Sequence, residues 1–166
     1  LGPNYGRVVT IRKATFDDVP AIGDLIRELA DYEHAAREAV ASDDDLAAAL
    51  FGEDPVVYCH LAEADGQAVG LALWFLNFST WLGISGIYLE DLYVRETFRG
   101  RGLGTALMKE LARICVERGY RRLQWSVLDW NTPSIEFYES IGATAMDEWT
   151  TYRLEGGALE AYGGAT

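Results

Sequence analysis

The chain has 166 residues, of which 49% are hydrophobic and 12% aromatic, enough for one substantial core and too few for two ordinary domains. Its 14 basic and 26 acidic side chains give a formal net charge of −12, which argues against nucleic-acid binding, because that needs lysine and arginine to neutralise phosphates. No apolar run approaches the roughly 20 residues that span a bilayer, and the N-terminus lacks the basic, apolar and small-residue succession of a secretory signal.

The expectation is a cytoplasmic, soluble protein with one domain over residues 7–166, preceded by leader residues at 1–6, with no membrane or nucleic-acid partner. The acidic balance suits a cationic small molecule, and it also serves plain solubility. Cys59 and Cys115 lie in apolar segments without a C-x-x-C partner or a histidine cluster, so neither a disulfide framework nor a metal site is expected.

Residues 8–12 alternate weakly and carry β-branched side chains, and read as a strand. Thr15 caps a helix with Asp17, Asp18 and Pro20 in its first turn and the stripe Ile22, Leu25, Ile26, Leu29 on its apolar face. That helix is expected to end at 32–34. A second, shorter helix follows Ser42, with Asp45 completing a capping box and Gly52 as its stop.

Residues 56–64 and 67–78 are β-rich runs separated by Asp65-Gly66, a dipeptide that tolerates the positive φ angles of a two-residue hairpin turn. A glycine-containing loop over 79–86 and a strand over 87–94 follow. Leu103, Leu107, Leu111, Ile114 and Cys115 repeat at helical spacing up to Gly119. Beyond it the pattern predicts a strand at 122–128, a short helix at 133–141 ended by Gly142, and a last strand at 149–154. The order implies an α/β three-layer sandwich with a mixed sheet, a pattern that several folds share.

Between the strand ending at Val94 and the helix starting at Leu103 stands Arg99-Gly100-Arg101-Gly102-Leu103-Gly104. Glycines let the backbone turn sharply and approach a ligand, while the following helix presents N–H groups and the positive end of its dipole. Arg99 and Arg101 add charge for phosphates. The segment is neither a Walker loop nor a Rossmann fingerprint. A glycine-rich turn of this kind also serves as a bare strand-to-helix connection.

Arg99-x-x-Gly102-x-Gly104 resembles the signature with which GNAT-superfamily acetyltransferases hold the pyrophosphate of coenzyme A. Trp130-Asn131-Thr132-Pro133-Ser134-Ile135-Glu136-Phe137-Tyr138, closed by Ile141-Gly142-Ala143, is similar to the second GNAT signature. On spacing alone Ile135, Tyr138 and Ile141 would be the apolar stripe of a short helix. Tyr88-Leu89-Glu90-Asp91-Leu92-Tyr93-Val94 narrows the resemblance to the spermidine/spermine (diamine) N-acetyltransferase group, and the likeness runs from Ile11 to Trp149. Against that group the turn at Asp65-Gly66 is shorter, the loop before Tyr88 holds an extra residue, and Leu128-Asp129 differs. Some members of the group acetylate thialysine, so these departures bear on the substrate more than on the reaction.

The resemblance implies a GNAT-like mixed central sheet splayed at an acetyl-CoA cleft, a homodimer, and transfer of acetyl from acetyl-CoA to a primary amine of a small cationic substrate: a polyamine, a diamine or a thialysine-like compound. It places Leu92, Tyr93, Val94, Arg99, Gly100, Arg101, Gly102, Leu103, Gly104, Thr105, Asn131 and Ser134 against the cofactor. Glu90 is the candidate for binding the ammonium and accepting its proton through water, since an alkylammonium, with a pKa near 10.4, must be neutralised before it attacks. Asp91, on the alternate face of the strand, is its neighbour. Tyr138 is the candidate acid for the leaving thiolate, a phenol being protonated at neutral pH. Tyr32, Glu33, Gln124, Trp125, Ser126, Asp147 and Glu148 are candidates for holding the other end of the amine. The alternatives are a GNAT enzyme acting on a protein amine, an amino acid or an aminoglycoside, and a non-catalytic acetyl-CoA-binding module.

Overall fold

The computed structural model describes residues 8–164; the expected leader at 1–6 lies outside them. The chain divides after Ser126 into two compact units.

The first unit carries a five-stranded sheet in the order β1 (Val9–Lys13), β2 (Tyr58–Ala64), β3 (Gln67–Ser79), β4 (Ile84–Val94) and β5 (Leu123–Gln124). The first four strands run antiparallel in sequence, and β5 joins β4 in parallel. Asp65 and Gly66 turn β2 into β3 with φ of 52° and 78°, as that dipeptide predicts.

Helix α1 (Val19–Tyr32) follows a 3-10 turn that Thr15 and Asp18 box, and α2 (Asp43–Phe51) starts from the Ser42/Asp45 box. Ile22, Leu25 and Leu50 from these helices pack on Cys59, Leu61, Leu71 and Leu73 of one sheet face. On the other face lies α3 (Leu103–Arg118), whose Leu107 and Leu111 are fully buried, each such side chain contributing roughly 1.5–3 kcal/mol. There Arg118 sits over Trp74, 6.0 Å from its ring centroid. Helices on both faces of a mixed sheet make the expected three-layer architecture.

Pairing of β3 with β4 slips at one point: Leu73 faces Asp91 while Trp74 faces Leu89, which leaves Glu90 as the extra residue of a bulge. A bulge bends its strand and sharpens the twist. The β5 pairing, Ile87 with Leu123 and Tyr88 with Gln124, stops just short of it. The strand expected at 122–128 is therefore only two residues long. The loop expected at 79–86 is also shorter, because β4 begins at Ile84.

The second unit holds α4 (Thr132–Ser140) and α5 (Gly156–Gly163). Gly142, at φ 88°, ends the α4 segment as predicted. Residues 149–154 form no strand, which corrects the sequence expectation: Trp149 and Tyr152 are exposed, and β-propensity without a pleated neighbour gives a side chain nothing to pack on. Helix α5 was not expected, since glycines at both its ends obscure the helical pattern.

Candidate active site

After β4 the chain makes a 3-10 turn at Glu96–Phe98 and enters the glycine run. Gly100 and Gly102 have φ of 74° and 78°, values that favour glycine. Gly102 occupies the cap position of α3, so the first intrahelical bond is the one from Ala106 N–H to its carbonyl, at 2.9 Å. The N–H groups of Leu103, Gly104 and Thr105 head the helix without intrahelical acceptors. A Cβ built on Gly100, Gly102 or Gly104 would meet no heavy atom within 4 Å. The backbone is thus open to a ligand, and it is an anion-binding arrangement. Arg101 rests over Phe98, 5.4 Å from the ring centroid. These residues fit a pyrophosphate group.

Within β4 itself, four residues before its end at Val94, the bulge sets the carboxylates apart. Glu90 is exposed, while Asp91 is partly buried on the face that also carries Leu73 and Tyr93. Burial first, then the negative charges of Glu90 and Glu33, push the Asp91 carboxyl up to about 6. Glu33, just past the end of α1, is itself raised by burial. Asp91 therefore feels the charge of both other acids. Among the described residues no group of three or more His, Cys, Asp or Glu side chains is arranged to hold a metal ion.

Tyr32 lies with Tyr93 around the guanidinium of Arg99, at 4.8 and 5.6 Å from its central carbon to the two ring centroids. Arg99 Nε donates to the Val94 carbonyl at 2.8 Å. Ser126 is held by a 2.9 Å hydrogen bond with the Tyr88 hydroxyl, and Gln124 accepts a long 3.5 Å bond from the Asn77 amide. Trp125 is partly buried. The structure thus brings Glu33, Glu90 and Asp91 into one field, and joins Tyr32, Tyr93 and Val94 to Arg99.

The remaining candidates belong to the second unit. Asn131 is buried and caps α4, its Oδ1 accepting from Ser134 N–H at 3.4 Å. Tyr138, partly buried, packs its ring against Phe137 at 5.4 Å. Asp147 and Glu148 are exposed in a turn.

Sequence reasoning missed the Arg95–Glu28 pair, in which both carboxylate oxygens accept from the guanidinium at 2.9–3.1 Å. The signal was present: Glu28 precedes Tyr32 by four residues, as Arg95 precedes Arg99. It missed the Tyr88 support of Ser126 as well, which only strand register reveals.

Residues 23–143 match the model of the acetyltransferase (GNAT) family. The chain belongs to that family. It is 38% identical to the thialysine N-epsilon-acetyltransferase of Bos taurus, with 94% of this chain and 98% of that protein covered. It is 31% identical to the L-ornithine N5-acetyltransferase of Arabidopsis thaliana, over 91% and 86% of the two chains. An integron cassette protein from the mobile metagenome of V. cholerae superposes with a TM-score of 0.80 at 30% identity, covering 95% of this chain and 98% of its own. With family and relatives of this kind the chain is an N-acetyltransferase. GNAT enzymes take acetyl-CoA, and the glycine cradle at the head of α3 suits its pyrophosphate.

Proposed function

We propose that this acetyltransferase acts on a primary amine of a small cationic acceptor of the polyamine, diamine or thialysine-like class. The observation that carries the reading is the acidic field of Glu33, Glu90 and Asp91 beside the β4 bulge, in the same unit as the open glycine cradle. An ammonium group is attracted by such a field, and the net charge of −12 extends the attraction beyond contact range. The thialysine and L-ornithine acceptors in the names of two relatives agree with it.

In the proposed mechanism acetyl-CoA supplies an activated acetyl group as a thioester. Glu90, exposed, meets the incoming ammonium. Asp91, pushed up to about 6, is a better-matched proton acceptor near neutral pH than an ordinary aspartate, so the role assigned to Glu90 from the sequence is shared with its neighbour. Backbone groups of Leu92, Tyr93 and Val94 line the thioester, where a preoriented N–H stabilises charge developing on oxygen. Tyr138 donates a proton to the departing sulfur, and Asn131 and Ser134 hold coenzyme A. Gln124, Trp125, Ser126, Asp147 and Glu148 are proposed to contact the remainder of the amine.

The same proposal includes a cytoplasmic homodimer and one catalytic domain over 7–166, so that a chain ending at Ser126 loses turnover. Among the described residues no helix is long and apolar enough to cross a membrane. The test is thiol release from acetyl-CoA with thialysine, ornithine, lysine, putrescine, spermidine, spermine, aminoglycosides and peptides. Activity confined to peptides or aminoglycosides would replace the proposed acceptor class. Sedimentation of the active protein reports the dimer.

A further inference from the structure

Two arginines fasten the end of β4 to the last turns of α1. Arg95 grips both oxygens of Glu28 and donates from Nη1 to the Ala68 carbonyl at 3.2 Å. Four residues on, Arg99 lies against Tyr32, four residues after Glu28 and on the same helix face. The two fastenings differ in kind. Arg95–Glu28 is a charge-paired, fork-shaped contact that fixes the register of helix on sheet. Arg99 instead uses its plane for the Tyr32 and Tyr93 rings and its Nε edge for the Val94 carbonyl.

Arg99 is also the first residue of the glycine run. On one side it continues into Gly100 and Gly102, and on the other it touches Tyr32, the residue before Glu33, whose charge reaches Asp91. We propose that Arg99 is a positioning residue: its guanidinium links the phosphate loop to the acceptor end of α1, so that an occupied loop and an ordered Tyr32-Glu33 favour one another. The inference rests on the acetyltransferase reading, with the acceptor placed at the acidic field. Coupling of this kind is reciprocal: whatever factor the acceptor adds to coenzyme A binding, coenzyme A adds to the acceptor.

Lysine separates this role from that of a phosphate ligand. It keeps a positive charge that a phosphate accepts, but loses the planar face and the Nε donor on which the link depends. The experiment is calorimetric titration of coenzyme A into the parent, Arg99→Lys, Tyr32→Leu and the double variant, with melting temperatures recorded for each. A stacked cation–π contact of this exposure predicts that each single change weakens coenzyme A roughly two- to fivefold. The double variant is expected to be no weaker than Arg99→Lys alone, because both changes break the same link. Arg99→Lys is also expected to raise the KM for thialysine at saturating acetyl-CoA, an effect that a phosphate ligand remote from the amine would not produce.

Parental coenzyme A affinity in Arg99→Lys, or losses that multiply in the double variant, would overturn the proposal and leave the acetyltransferase reading standing. A parent that takes up no coenzyme A would sink both. If Tyr32→Leu fails to fold, the affinity and thialysine KM of Arg99→Lys decide by themselves.

Discussion

Asp91 faces Leu73 across β3 and β4, one residue past the slip that leaves Glu90 unpaired. The slip sets two adjacent carboxylates in different surroundings, one exposed and one partly buried. Adjacent acids with separated environments are suited to separate tasks.

Asp91→Asn tests that separation. The folded carboxyl titrates at about 6 against 3.8 for its ordinary value, so the stability associated with it is present below 3.8 and is lost as pH rises through 6. The isosteric amide removes the ionised form, and the variant is expected to melt higher than the parent at pH 8 and equally at pH 3.5. The gain is at most about 3 kcal/mol, since each pKa unit corresponds to about 1.4 kcal/mol. Turnover is expected to fall, with loss of the rate limb near pH 6, whereas Glu90→Gln keeps that limb and raises the acceptor KM. An unchanged pH–rate profile in active Asp91→Asn removes Asp91 as the proton acceptor.

Gly104→Val tests the cradle. A Cβ there meets no protein atom within 4 Å, so the variant is expected to fold and to melt close to the parent. The added side chain fills the space a pyrophosphate would occupy, and thermal protection by coenzyme A, about 2.7 kcal/mol at a hundredfold excess over Kd in the parent, is expected to vanish. Equal protection in parent and variant by differential scanning fluorimetry would move the cofactor elsewhere.

His60 is buried and accepts the Trp74 indole N–H on Nδ1 at 3.1 Å. Its neutral ring therefore carries the proton on Nε2, and a second proton would have to break the indole bond. Burial lowers the histidine below its ordinary 6.5, and Glu110, whose carboxylate is 3.8 Å from Nε2, offsets only part of this. A lowered folded value means the contribution is present above 6.5 and is lost as pH falls below it, by up to about 1.4 kcal/mol per pH unit. Asp91 acts in the opposite direction between pH 6 and 4. His60→Gln is expected to be less stable than the parent at pH 8, and to lose less stability than the parent between pH 7 and 5. Parallel melting-temperature profiles for the two proteins would show that His60 does not titrate in this window.

What the sequence made legible was local. The Asp65-Gly66 turn, the Ser42/Asp45 box and the glycines that flank α3 each carry their own conformational instruction within a few residues. Glu90 and Asp91 were readable as a pair, but the bulge that separates them was not, because it depends on how thirteen residues of β3 register against eleven of β4. Propensity misled at 149–154, where Trp149, Thr150, Thr151 and Tyr152 have strand-forming side chains and no strand results. The arginine contacts to α1 were hidden for the same reason as the bulge: each joins residues 67 apart.

Tyr138→Phe removes one hydroxyl and keeps the ring that packs at 5.4 Å from Phe137. Capping of α4 by Asn131 and the 3.1 Å bond from Ala143 N–H to the Tyr138 carbonyl both involve groups the substitution leaves in place. Folding and coenzyme A affinity are therefore expected to stay near parental values. If the phenol protonates the leaving sulfur, turnover falls roughly 100-fold or more, the low end of what a positioned acid contributes. If the residue serves packing alone, an apolar ring of the same shape fills the same space and the rate is maintained. Stopped thiol-release assays at saturating acetyl-CoA and thialysine distinguish the two, and a folded variant that binds coenzyme A and retains most of its turnover would eliminate Tyr138 as the acid. Glu90→Gln run alongside supplies the internal contrast: loss of the amine's partner shows in the acceptor KM, whereas loss of the acid shows in kcat with both KM values preserved.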